Sequence, residues 1–221
     1  MAFIQREKLS TRDLIAGSFA VLGRNWRLIA LLLAVLFALF FATDVSPVPA
    51  DGILATLTLV AFFAGEYLLF QAMLREERYS PVGDRLRIFR FVGLAIMVSL
   101  GVSLAMNLFV IPGIILGARW IMAPSFLIAS ERGAFASLGE SWSATSGNTL
   151  AISLAATALI VMVMGMLVIA GAVEDMLPWR MMETVSVFVL YICPSVLLMG
   201  LSVAVFERLS TEGAALSDVF E

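Results

Sequence analysis

Glu66 and Arg119 stand out because each sits deep inside a long apolar run. A charged side chain at the centre of a membrane helix is unfavourable by roughly 2.5–3.5 kcal/mol on insertion scales, so it should face protein or water and is a functional candidate by default. Three readings of Arg119 stand: an ion pair with Glu66 that orients two hairpins, a site for an anionic headgroup or substrate, and a long side chain snorkelling to the interface. Counted along ideal helices, the two residues differ in depth by about 8 Å, a gap that long side chains or one water can close. Asn107, near the far end of its run, completes the polar set and is expected to hydrogen-bond across helices.

The remaining inventory removes most catalytic chemistry. The chain contains no histidine, so the usual proton shuttle, the histidine-activated nucleophiles and the commonest transition-metal ligand are missing. Cys193 is the single cysteine, which excludes an internal disulfide framework and reads as a small buried hydrophobe. Met162, Met164 and Met166 read as adaptable packing rather than a copper path. No phosphate-cradling glycine loop, metal cluster or serine-nucleophile motif is present in the sequence. The expectation is a protein that is not an enzyme, with no catalytic residue, cofactor or metal.

The elements that hold these residues follow from composition. The chain is 61% hydrophobic and 14% charged, well below the quarter or so of charged residues that a water-soluble surface needs. Lipid must solvate much of it, and only structures that satisfy their own backbone can cross a bilayer. The runs are continuous rather than alternating, so the fold class is all-α, a polytopic membrane helical bundle. Six spans are predicted at residues 28–43, 53–74, 91–110, 114–129, 150–173 and 185–206, within one membrane domain covering 1–221. An amphipathic interfacial helix precedes them at 10–26, with Ser10 as its N-cap and Asp13 three residues on, and a short tail follows at 207–221. Pro112-Gly113 is read as a tight reversal, Pro194 as a kink, Gly101 and Ala105 as a packing stripe, and Gly147-Asn148 as a helix C-cap. Trp26, Trp120, Trp142 and Trp179 are expected at interfaces or helix contacts.

The bases lie heavily on one side of this pattern. They precede span one, follow span six, and cluster between spans two and three at Arg75, Arg78, Arg85, Arg87 and Arg90. The positive-inside rule then puts both termini in the cytoplasm. That cluster could meet anionic lipid headgroups, each base near the surface contributing about 1 kcal/mol. Another membrane protein or a second copy of the chain is a further partner; nucleic acid is not, because the patch is membrane-bound and interrupted by acids. Ser18-Phe19 with Asn25 returns as Ser141-Trp142 with Asn148. With the basic stretch before span three, this suggests three parallel units, each an interfacial helix feeding a hairpin.

The stretch from Ile111 to Asn148 resembles a bacterial family of six-span inner-membrane proteins, which includes the membrane domain fused to some glycerophosphoryl diester phosphodiesterases. The matching positions are Pro112, Gly113, Arg119, Trp120, Pro124, Glu131, Ser141, Trp142, Gly147 and Asn148. The resemblance implies architecture rather than activity, since in the fused enzymes the phosphodiester chemistry belongs to a separate soluble domain. The functional expectation is a lipid- or partner-binding scaffold or accessory factor of the bacterial inner membrane, in membrane or envelope homeostasis. The alternative is a small transporter or channel with Arg119 and Glu66 in one intramembrane cavity.

Overall fold

The computed structural model describes residues 8–45, 52–74, 87–129, 133–172, 185–186 and 188–220. Every long element among them is a helix. In chain order these are α1 (Thr11–Arg24), α2 (Trp26–Val45), α3 (Ile53–Met73), α4 (Arg87–Leu108), α5 (Val110–Trp120), α6 (Ala123–Ala129), α7 (Ala134–Ala144), α8 (Thr149–Ala172), a π-turn (Phe188–Ile192) and α9 (Cys193–Phe220). Six segments are long and apolar enough to cross a membrane, with α5 and α6 together making the fourth and the π-turn with the first half of α9 making the sixth. The chain is a multi-pass integral membrane protein. About twenty residues at 1.5 Å each match the hydrocarbon thickness, and the helical ladder leaves no backbone polar group facing lipid.

The last span is the hub. Half of its apolar window is buried, against 6% for the first span, and α9 touches α1, α3, α6 and α8. Small residues set these approaches, as membrane bundles require when lipid is as apolar as the packing partner. A side chain on Gly200 would meet Leu22 at 2.8 Å and Ser18 at 3.0 Å, both on α1. Gly65 of α3 takes Leu32 of α2 in the same manner, and Gly101 of α4 takes the Trp120 ring of α5. The main core joins α1 to the Leu69–Leu74 end of α3 and to the centres of α8 and α9.

Several elements depart from the sequence reading. The chain reverses at Phe109, whose extended backbone (φ −157°, ψ 135°) separates α4 from α5. Pro112 and Gly113 therefore lie inside the first turns of α5, where proline's missing N–H costs nothing. A side chain on Gly113 would collide with the Met106 backbone nitrogen at 2.8 Å, so this glycine serves the close approach of α4. Ser10 precedes α1 with extended backbone, but its side chain makes no capping bond; its carbonyl accepts from Leu14 instead. Pro194 lies just after the π-turn, in the first turn of α9, so the irregularity is a local widening of the helix. Met162, Met164 and Met166 face outward from α8.

Candidate functional site

The fourth span is broken at its middle, and Pro124 is the reason. Proline carries no N–H for the carbonyl four residues back, and its ring crowds that turn. The helix stops at Trp120, residues 121–122 form a turn, and α6 begins at Ala123. A break at that depth frees backbone groups that lipid cannot satisfy, so the neighbouring protein must. The Ser141 hydroxyl of α7 does both jobs, donating to the Arg119 carbonyl at 2.7 Å and accepting from the Met122 N–H at 3.2 Å. Thr145, one turn on, donates to the Ser141 carbonyl at 2.7 Å and lies 3.3 Å from the Arg119 carbonyl. Ser137, Ser141 and Thr145 are all fully buried. Their i, i+4, i+8 spacing turns the inner face of α7 into a hydroxyl ladder against the broken span.

The two deep arginines resolve differently from the ion pair expected between Glu66 and Arg119. Arg119 ends α5, and its Nη1 donates to the Trp142 carbonyl in the last turn of α7 at 3.0 Å. Its guanidinium lies 5.0 Å from the centroid of the Trp142 ring. The charge thus rests where two helix C-termini converge, and each end presents carbonyls and the negative pole of its dipole. Among the described residues no carboxylate is paired with it, and its Nε is buried without a hydrogen-bond partner. Arg87, expected among the headgroup-binding bases, is only 4% exposed and donates to the Ile128 carbonyl in the last turn of α6 at 3.1 Å. It is a buried helix cap, closed to lipid. Arg90 is exposed; Arg75, Arg78 and Arg85 fall outside the described residues, as do Glu131 and Trp179. Asn107 donates to the Ser103 carbonyl of its own helix, on an exposed surface, so the interhelical bond expected of it is not made.

The α7–α8 corner gathers the remaining motif positions. Gly147 has φ +90°, the left-handed conformation that glycine adopts without penalty. Asn148 is buried, and its Oδ1 accepts the Leu9 N–H at 2.9 Å. Thr11 donates to the Ala151 carbonyl at 3.4 Å beside it. The start of α1 is thereby fastened to the start of α8.

Glu66 lies on the far side of this arrangement, in a central cavity of about 500 Å³ bounded by α3, α4, α5, α8 and α9. Ser195, just after the π-turn, donates to its Oε1. The other walls are mainly apolar: Phe62, Phe63, Phe70, Phe91 and Trp120 supply rings, with Ser99, Ser103, Thr157 and Ser202 interspersed. Ser202 is engaged with Ser125 at 2.9 Å. Arg119 does not line this space, so the shared cavity expected of the two charges is replaced by a cavity holding Glu66 with no arginine. Phe62, Glu66 and Phe70 recur at i, i+4 and i+8 on one face of α3. That spacing was present in the sequence, but the facing rings on α4 and α5 were not assignable from it. No group of three metal-ligating side chains exists among the described residues. Compared with known proteins, the chain matches no family model, no curated sequence and no solved structure, so its functional reading rests on this geometry.

Proposed function

We propose that this protein is a non-enzymatic binder of one amphiphilic molecule within the membrane. The observation that supports this is the central cavity: about 500 Å³ of mostly apolar wall with a single serine-held carboxylate. Binding pockets for small molecules are of this volume and character, apolar with a few convergent polar groups. Among the described residues, Glu66 has a serine beside it but no second acid or metal-ligating cluster, and the chain has no histidine, which supports binding over acid–base or nucleophilic catalysis. We read the setting as the bacterial inner membrane with both termini cytoplasmic, on the one-sided distribution of bases. The motif positions from Pro112 to Asn148 support kinship with the six-span family, whose members this chain resembles in architecture. A scaffold role in membrane or envelope homeostasis fits a bundle whose deepest arginines are spent on holding helices. A transporter reading retains only Glu66 in its cavity, without Arg119.

Native mass spectrometry of the protein released from lipid nanodiscs tests the binder reading. The wild-type chain should retain one bound amphiphile, and Ala156→Trp, which fills the cavity from α8, should lose it. Equal retention by both chains, or none by the wild type, overturns the proposal.

A further inference from the structure

We infer that the cavity selects a lipophilic cation: an amphiphile or aromatic molecule with one positive charge and no negative group. This deepens the binder reading and rests on it. Among the described residues lining the cavity, Glu66 is the one charged group, and none is lysine or arginine. Ser195 engages one carboxylate oxygen, and no second partner for the other is found among the described residues. An ionised carboxylate withdrawn from water carries a large desolvation cost unless a counter-charge or further donors reach it. Among the described residues, the cavity's side chains offer this carboxylate one hydroxyl, from Ser195, and no counter-charge, so a ligand cation completes the site.

The walls specify what kind of cation. Phe62 and Phe70 flank Glu66 by one helical turn on either side, and Phe91 and Trp120 stand on the neighbouring helices. Phe91 meets the Phe70 ring edge-on, at a centroid distance of 5.8 Å. Ring faces attract positive charge through their quadrupole, most strongly where water is excluded. A hard inorganic ion is poorly served, because magnesium or calcium needs about six oxygens, and the wall is mostly carbon. An anion would meet Glu66 with nothing to offset the repulsion. A neutral apolar molecule would fill the space but leave the carboxylate uncompensated. Rings, carboxylate and apolar volume together match an organic ammonium or phosphonium whose charge is spread over a hydrophobic body.

The decisive probes are tetraphenylphosphonium and tetraphenylborate, which share a shape and carry opposite charge. Equilibrium dialysis against the intact protein in zwitterionic nanodiscs, with binding to empty nanodiscs subtracted, gives both affinities. The wild-type chain should prefer the phosphonium by about tenfold or more, as close charge complementarity allows. Glu66→Gln should erase that preference while still binding one of the two ions, and Ala156→Trp should abolish both. Equal affinity of the wild type for the two ions, or preference for the borate, overturns the cation inference while the cavity stands if Ala156→Trp still removes binding. Binding that Ala156→Trp leaves unchanged overturns the binder reading itself. Because the wild-type ratio and the blocking variant decide between these outcomes, a Glu66→Gln chain that failed to fold would not rescue the inference.

Discussion

The two short amphipathic helices α1 and α7 occupy related positions, and their buried serines are used in different ways. Each feeds into a span, and each packs on the second span of another hairpin: α7 on α5 and α6, α1 on α9. Each turns a fully buried serine inward, Ser141 on α7 and Ser18 on α1. Ser141 serves a broken helix, so its hydroxyl replaces backbone bonds that the span has lost. Ser18 donates at 3.3 Å to the Leu197 carbonyl, which lies inside the continuous helix α9 and already has its helical donor position four residues on. Around Ser18 the contacts are apolar and close, through Leu14, Leu22 and the notch at Gly200. The exposed side of α1 is tied to α9 by the ion pairs of Arg24 with Glu207 at 2.7 Å and of Arg208 with Asp13 at 3.8 Å. Around the two serines, a shared pattern of serine, aromatic and asparagine therefore conceals two kinds of docking, by hydroxyl bonds at Ser141 and by close packing at Ser18. Asn25 and Asn148 divide likewise. Asn25 bonds the Val21 carbonyl of its own helix, whereas Asn148 reaches 139 residues back along the chain to Leu9.

The sharpest way to break this contrast is Ser141→Ala, which removes the hydroxyl and leaves the rest of the side chain in place. Two buried backbone groups, the Arg119 carbonyl and the Met122 N–H, lose their partner, and each such loss is worth about 1–3 kcal/mol. We expect a destabilisation of roughly 2–4 kcal/mol, allowing for what Thr145 recovers from 3.3 Å away. Thermal unfolding in detergent can be followed by thiol labelling of Cys193, the single cysteine. Next in size is Gly200→Val, which tests docking by shape. The first carbon of the new side chain would already lie 2.8 Å from Leu22, so overpacking should cost about 1–3 kcal/mol. It should also release α1, read as faster proteolysis near Arg24, while α7 stays protected. A Gly200→Val chain with wild-type stability and unchanged cleavage would remove the shape side of the comparison.

The six spans and the entry helix were legible because they depend on local quantities: apolar run length, a 3.6-residue period, and charge at the ends. The boundary at Arg87 was missed because a charged residue reads as outside the membrane, whereas this one is buried against the Ile128 carbonyl. The break at Pro124 hid inside a span whose mean hydropathy, taken as a whole, is high enough for a membrane crossing. Its meaning emerges only when Ser141, twenty-two residues after Arg119, is brought alongside. Partner choice for Arg119 was illegible for a similar reason. A sequence displays carboxylates as candidate partners but says nothing of helix C-termini, which can balance a guanidinium equally well. The aromatic face around Glu66 could be read from spacing on α3; the opposite walls needed the tertiary fold.

A double-mutant cycle sharpens the comparison further by testing its cause. If Pro124 creates the need for Ser141, then Pro124→Ala supplies an N–H, lets the span continue as helix, and makes the hydroxyl less important. Ser141→Ala should then cost less in the Pro124→Ala background than alone, with a coupling of about 1 kcal/mol, inside the range found for residues in one network. Additive costs would mean that the break persists without proline and that Ser141 answers some other constraint.

The smallest expected effect belongs to Ser18→Ala. Its hydroxyl adds a second bond to a carbonyl already inside an unbroken helix, and the lost group leaves no backbone atom newly orphaned. Such a bond is worth about 0.5–1 kcal/mol within membrane bundles, where polar groups also find partners before assembly. Leu22, which makes the closest approach to the Gly200 notch, is untouched, although the Ser18 oxygen that also borders the notch is lost. The cost should therefore be a third or less of that measured for Ser141→Ala, with no change in protection of α1. Were Ser18→Ala to destabilise as strongly as Ser141→Ala, the last span would have to carry a strained carbonyl at Leu197. The two helices would then be docked by one mechanism, and the difference between them would lie only in which neighbour each happens to meet.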